Sequence, residues 1–203
     1  MNPSLLVASA NPKKLIELKT ILSDLPFRLL SLEDFSEVRE VEEDGLSFKE
    51  NAAKKALGYA QQTGLLTVAD DSGLWVDYLN GAPGVYSARF AGPEKDDLKN
   101  CDKVLELLKG VSREKRTASF RCAAALAKPS QLIAVIEESV SGFISDSMRG
   151  EGGFGYDPLF FYPEFGTTFA EVSSEKKHSV SHRGKALQKM KEVLREYLKK
   201  SGT

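Results

Sequence analysis

Two adjacent carboxylates, Asp70 and Asp71, follow the apolar residues Leu65, Leu66, Val68 and Ala69, and Ser72 and Gly73 come next. Neighbouring carboxylates repel one another, so both hold their charge only where a cation or a shared proton relieves them. A hard cation bound through oxygen, such as magnesium, suits the pair. The short apolar run reads as a buried strand, which sets Asp70 and Asp71 at its carboxyl end, where open α/β sheets bind ligands. Taken by themselves, Asp-Asp-Ser-Gly also favours a turn.

A second stretch, Ser9-Ala10-Asn11-Pro12-Lys13-Lys14, joins the apolar run Leu5, Leu6, Val7, Ala8 to a stripe at Leu15, Leu18, Leu22 and Leu25. Spacings of three and four define one face of a helix. Asn11 is a suitable N-cap and Pro12 a suitable first helical residue. The free amides and positive dipole end of such a helix attract anions, and Lys13 and Lys14 add charge. A capped helix with two solvated lysines accounts for the same residues.

Two further stretches carry chemistry. In Gly150-Glu151-Gly152-Gly153-Phe154-Gly155-Tyr156-Asp157-Pro158, four glycines permit close approach of backbone to a ligand, and Phe154 and Tyr156 offer ring faces to a planar group. A loop with buried aromatics is the plainer reading. Both histidines lie in Lys177-His178-Ser179-Val180-Ser181-His182-Arg183-Gly184. Lys177 and Arg183 would repel a metal ion there, which favours donors to an anion or a base edge. The acidic run Glu40, Glu42, Glu43 and Asp44 is a solvated face by composition, yet one of its carboxylates can reach a metal held by Asp70 or Asp71.

The elements that must position these groups alternate between strands and helices. Residues 27–32 form a second strand, and Ser47 with Glu50 is a capping box opening a helix with Phe48, Ala52, Ala56 and Ala60 on one face. Lys54 and Lys55 lie to the side of that face. Asn80-Gly81-Ala82-Pro83-Gly84 is dense turn chemistry. Leu98, Cys101, Val104, Leu105 and Leu108 make another helical stripe closed by Gly110. Residues 117–126 then alternate as a strand, with Thr117, Ser119 and Arg121 opposite Ala118, Phe120 and Cys122. After a turn at Lys128-Pro129-Ser130-Gln131 the chain returns through residues 132–144, so this half is an antiparallel meander. A last helix buries Ala186, Leu187, Met190, Val193, Leu194 and Tyr197. The 203 residues suit one domain, with no linker separating two folding units.

Composition bounds the partners. Twenty-eight basic and 29 acidic side chains give a net charge of -1, which predicts no nucleic-acid or membrane partner. Two cysteines without metal-ligand spacing argue against a disulfide scaffold and a zinc site. The first residues carry no basic n-region, and the run at 5–8 is too short for a signal or a span, which predicts a cytoplasmic protein.

Together these stretches resemble the inosine triphosphate pyrophosphatase family. The residues that carry the resemblance are Ser9-x-Asn11-x-x-Lys14, Glu42 and Glu43 ahead of Gly45, Asn51, Lys55, Asp70-Asp71-Ser72-Gly73-Leu74, Gly81-Ala82-Pro83-Gly84, Ser87-Ala88-Arg89, Phe154-Gly155-Tyr156-Asp157-Pro158, Lys177, and Ser181-His182-Arg183-Gly184. Any one motif is weak, but their order and spacing over nearly the whole chain are specific. Ala10 departs from the family's usual glycine. The resemblance implies an α/β fold, an elongated mixed sheet flanked by helices in two lobes with a central substrate cleft, in a homodimer. It further implies hydrolysis of non-standard purine nucleoside triphosphates (ITP, dITP, XTP) to the monophosphate and pyrophosphate. In that scheme Ser9, Ala10, Asn11, Pro12, Lys13 and Lys14 hold the triphosphate, assisted by Lys55. Glu42 and Asp71 hold magnesium, Asp71 accepts the proton of the attacking water and Asp70 supports it. Ser72 touches phosphate or ribose, Phe154, Gly155, Tyr156 and Asp157 hold the base, and Lys177, His182 and Arg183 complete its pocket. The alternatives are a related pyrophosphatase for modified pyrimidine or 7-methylguanine nucleotides, and a non-catalytic nucleotide-binding protein.

Overall fold

The computed structural model describes residues 2–200. Seven strands form one sheet in the order β2-β1-β3-β4-β5-β6-β7. The strands are β1 Ser4–Ala8, β2 Arg28–Ser31, β3 Leu66–Val76, β4 Thr117–Lys128, β5 Gln131–Ile144, β6 Phe160–Tyr162 and β7 Thr167–Thr168. Among the described residues five α-helices accompany them: α1 Pro12–Leu22, α2 Phe48–Thr63, α3 Asp97–Leu107, α4 Ser174–Val180 and α5 His182–Lys200. The sheet is mixed, because β1 pairs in parallel with β2 and β3 whereas β6 pairs antiparallel with β5 and β7. Parallel neighbours require helical crossovers and antiparallel ones only turns, which is why helices punctuate the first half and not the meander.

The chain divides into two compact units. The first comprises the chain up to Asp71, Cys122–Glu138, and the part from Arg183 onward; the second comprises Ser72–Arg121 and Ser139–His182. In the first, Leu5, Val7, Leu18, Leu22, Val68, Leu126, Leu187, Met190 and Leu194 are buried together. In the second, Leu74, Val76, Val104, Phe120, Ile144, Leu159, Phe160 and Phe169 form a separate core. Among the described residues no helix is long and apolar enough to cross a membrane.

Two sequence readings change. β3 does not stop before the carboxylates: Asp70, Asp71, Ser72 and Gly73 lie inside an eleven-residue strand and form no turn. Gly73 keeps the strand going because a Cβ there would lie 2.2 Å from Ser87 Oγ, and that hydroxyl accepts the next amide, Leu74 N–H, at 2.9 Å. Parallel pairing of β1 with β3 ends at Ala8 opposite Ala69, so Asp70 is the first β3 residue beyond the tip of β1. The second change is α4, a helix of seven residues that takes in Lys177 and His178, where the sequence reading had only the approach to the last helix. Ser173 caps it by accepting Lys176 N–H at 3.2 Å.

Candidate active site

Helix α1 begins as the sequence predicts. Asn11 Oδ1 accepts the amides of Lys13 at 3.0 Å and Lys14 at 3.2 Å, and Pro12 occupies the first helical position. Asn11 N–H donates in turn to Ser9 Oγ at 3.3 Å. Two of the first-turn amides are thus spent on the cap, so a ligand at this loop meets the exposed residues 10–13 and the ammonium of Lys14. Ala10 is not among the residues with positive φ, so the loop does not require the freedom of glycine there.

Alternation along β3 sends Asp70 and Asp71 to opposite faces of the strand. Asp70, 1% exposed, meets cations from two helices: Arg183 Nε donates to its Oδ2 at 3.1 Å, and Lys14 Nζ lies 3.6 Å from the same oxygen. Burial acts to raise the Asp70 pKa, but the charges of Lys14, Arg183 and Lys55 outweigh it and hold the carboxyl well below its usual range. Arg183 Nη1 also donates to Glu17 Oε2 at 2.6 Å. Glu17 lies three residues after Lys14 on α1, hence on the same side of the helix.

Asp71, also buried, faces α2. Asn51 Nδ2 donates to Asp71 Oδ2 at 3.0 Å, while Asn51 Oδ1 accepts Gly45 N–H at 2.8 Å and ties the acidic loop to the helix. Ser47 caps α2 by accepting Glu50 N–H at 3.1 Å; Glu50 reaches Leu46 N–H at 2.8 Å and not the cap residue of a standard capping box. Lys55, buried on α2, donates to Glu43 Oε2 at 3.0 Å. Burial opposes the charge of Lys55, but Asp70, Asp71 and Glu43 more than compensate and raise its pKa. For Asp71 the balance falls the other way: burial raises its pKa, the charge of Glu43 adds to that, and Lys14, Lys55 and Asn51 only partly oppose it. Two neighbouring carboxyls of one strand are therefore driven apart, one held ionised and the other inclined to take a proton. Such separation is the usual signature of divided acid and base roles.

The donors fit a magnesium ion shared with a phosphate better than a resident metal. Among the described residues no group of three or more Asp, Glu, His or Cys side chains gathers as a cage. Magnesium is commonly held by one or two carboxylates and completed by substrate phosphates and water. Glu43 is the acidic-loop carboxylate whose charge acts on Asp71. Glu42 is exposed, and its charge acts on Lys54.

The other predicted residues lie in the second unit. Asp157, 2% exposed, accepts Phe154 N–H at 2.8 Å and Lys177 Nζ at 2.6 Å through Oδ2. The Lys177 ammonium also lies 4.6 Å from the centre of the Phe154 ring. Gly153 makes room for this, since a Cβ there would fall 2.1 Å from Asp157 Oδ2. Tyr156 is buried and donates its hydroxyl to Ser87 O at 2.8 Å, which leaves Phe154 as the half-buried ring of the pair. His182 stacks on Phe120, with centroids 4.9 Å apart and planes at 14°. Ser72 follows Asp71 on β3 and is half-buried.

Lys14, Lys55, Asp70, Asp71 and Arg183 thus come together in the first unit, and Phe154, Asp157 and Lys177 in the second. Arg183 is placed with the carboxylates, although the sequence grouped it with the base donors. The sequence reading overlooked Glu17, for which the signal was a glutamate one turn from Lys14 beside the buried stripe of α1. It gave Asn51 no role, although it stood in the quoted motifs, and it counted Glu43 only among the acidic run from which one carboxylate can reach a metal.

A mixed seven-stranded α/β fold with two adjacent buried carboxylates, met by lysines and an arginine, defines the class of the protein. The chain belongs to the Ham1 family, whose model matches residues 5–193. It is 54% identical over 190 residues to the dITP/XTP pyrophosphatase of Desulforamulus reducens, covering 94% of each chain. It is 47% identical over 196 residues to the dITP/XTP pyrophosphatase of Listeria innocua, covering 97% of each. Among solved structures, a HAM1 protein from Coxiella burnetii superimposes with a TM-score of 0.87 at 40% identity, over 96% of this chain and 99% of the other. A nucleoside-triphosphatase, dITP/XTP pyrophosphatase, from Mycobacterium abscessus gives 0.75 at 44% identity, over 92% and 97%.

Proposed function

We propose that this chain is a nucleoside triphosphate pyrophosphatase that hydrolyses non-standard purine nucleotides, dITP, XTP and ITP, to the monophosphate and pyrophosphate. The observation that carries the reading is the pair of adjacent buried carboxylates, Asp70 held by Arg183 and Lys14 and Asp71 bonded by Asn51. Asp71, whose charge is not committed to an arginine, is the proton acceptor for the attacking water. Asp70 stays ionised and fixes Lys14 and Arg183 by charge. Phosphoanhydride cleavage rests on positioning and on neutralising phosphate charge, which lysines supply at Lys14 and Lys55.

Asp71, with Glu43 or Glu42, would hold magnesium, which when bound neutralises phosphate oxygens. The base belongs to Phe154 and Lys177: a ring face for stacking, and an ammonium aimed by Asp157 that donates to a 6-oxo group. Adenine presents a 6-amino donor instead, and donor against donor leaves a buried group unpaired. The homodimer and the cytoplasmic location belong to the same proposal, the latter supported by two free, buried cysteines.

The test is pyrophosphate release across ITP, dITP, XTP, GTP and ATP, with magnesium and with chelator. Preference for the 6-oxo purines and loss of turnover in chelator are expected. Equal turnover of ATP and ITP, or release of inorganic phosphate in place of pyrophosphate, would overturn the reading.

A further inference from the structure

Gly155 stands in the middle of residues 154–157 with a φ of 60°, and helix α3 grips it at both of its backbone polar groups. Asp97, the first residue of α3, accepts Gly155 N–H through Oδ2 at 2.8 Å. Cys101, four residues on and therefore on the same helical face, directs its thiol to Gly155 O at 3.4 Å. The preceding amide, that of Phe154, ends on Asp157 Oδ2. Two successive N–H groups of this loop are thus turned onto two carboxylates, one from the loop itself and one from α3. The same helix steadies a second loop, where Asn100 accepts Ala91 N–H at 2.7 Å and donates to Ala88 O at 3.1 Å. Nothing lies within 4 Å of the place a Gly155 Cβ would occupy, so glycine is present for its dihedral and not for space. In agreement with this packing, burial raises the Cys101 thiol to about 12, and the charge of Asp97 contributes.

We propose that Asp97 is a positioning residue for purine recognition: by holding the Gly155 amide toward α3, it fixes the direction in which Phe154 presents its ring beside Lys177. The proposal rests on reading residues 154–157 as the base loop. In this proposal Asp97 acts through the loop and not by its own contact with base or phosphate. Its charge lies at the N-terminal end of α3, where the helix dipole stabilises it, so it is an acceptor for the loop at little cost to the helix.

The experiment compares Asp97→Ala and Asp97→Asn with the wild type, by steady-state kinetics on ITP and by NMR hydrogen exchange of the Gly155 amide. Asparagine retains a side-chain oxygen as acceptor and alanine does not. Asp97→Ala is expected to raise KM for ITP roughly tenfold with kcat within about twofold, the pattern of weakened ground-state binding, and to speed Gly155 exchange. Asp97→Asn is expected to recover most of both. A merely structural role would lower the active fraction, and with it kcat, while sparing KM. Unchanged exchange in Asp97→Ala overturns the grip on Gly155, and faster exchange with unchanged KM overturns its part in recognition. If the wild type cleaves no purine triphosphate, the base-loop reading falls and takes this proposal with it; failure in an active enzyme counts against Asp97 alone.

Discussion

Arg183 Nε lies 3.1 Å from Asp70 Oδ2 across 113 residues of chain, and the same guanidinium reaches Glu17 at 2.6 Å. One buried cation therefore bridges two buried carboxylates, and Lys14, on the helix that carries Glu17, brings a second positive charge to the first of them. The arrangement is a closed ring, since Lys14 and Glu17 stand one turn apart on α1. Removing its cation tests it.

Arg183→Met should cost about 3–5 kcal/mol, because it takes from Asp70 and Glu17 the buried guanidinium that bonds both carboxylates. For a chain of this size that corresponds to a fall in Tm of roughly 6–20 °C at pH 7. The depressed folded-state pKa of Asp70 means that its stabilisation is present above the unfolded value of 3.8 and is lost as pH falls. In the variant, acid neutralises the two carboxylates that have lost the guanidinium, so the deficit should shrink below about pH 4. Thermal melts of both proteins across pH 3–8 measure this, and a deficit independent of pH would deny the ring its electrostatic character.

Asp71→Asn should lose turnover by roughly a hundredfold to ten-thousandfold while becoming more stable at neutral pH. A carboxyl whose folded pKa is raised weakens the fold as pH climbs from its unfolded pKa of 3.8 through the folded one. Asparagine keeps an oxygen for the Asn51 amide and carries no charge. The gain in Tm should therefore appear at pH 7 and vanish near pH 3. A folded variant that still hydrolyses ITP at saturating magnesium would remove Asp71 from the chemistry.

The two glutamates of the acidic loop should separate in magnesium titrations. Glu43→Gln is expected to raise the magnesium concentration for half-maximal activity by about tenfold or more, and Glu42→Gln by less than about threefold, because the charge of Glu43 acts on Asp71 whereas Glu42 is exposed. The reverse order would return the ligand role to Glu42.

Lys177→Met should narrow the preference for ITP over ATP by about tenfold to a hundredfold, through loss of ITP turnover alone, since a charged hydrogen bond is worth roughly 1.5–3 kcal/mol. Lys14→Ala, by contrast, should slow both nucleotides alike. Kinetic constants for the two substrates on both variants decide the matter; an unchanged ratio in Lys177→Met would place its ammonium on phosphate.

Much of the fold was legible where local chemistry governs it. The cap at Asn11, the proline at the first position of α1 and the buried face of α2 follow from side chains within a few residues of one another. Legibility failed where a distant partner decides. Asp-Asp-Ser-Gly is turn chemistry by composition, yet the chain stays extended because Ser87, fourteen residues past Gly73, packs against it and bonds the strand. The same holds for the site. The residue types that bear charge were all visible, but the assignment of Arg183 to Asp70 and Glu17 depends on helix α5 packing beside α1, which no spacing reveals. Lys177 shows the intermediate case: its donor chemistry was evident, whereas its ion pair with Asp157 required the bare Cα of Gly153.

The division of the chain bears on how the protein is made. Asp70 leaves the ribosome with no arginine to receive it, since Arg183 is synthesised 113 residues later. At about 5–20 residues per second this is roughly 6–23 s of translation. Through that interval the carboxylate of β3 can remain in water or take up a proton, but it cannot be buried as an anion at the cost it bears in the finished protein. The first unit, which includes α5, thus closes only after the second has been translated in full.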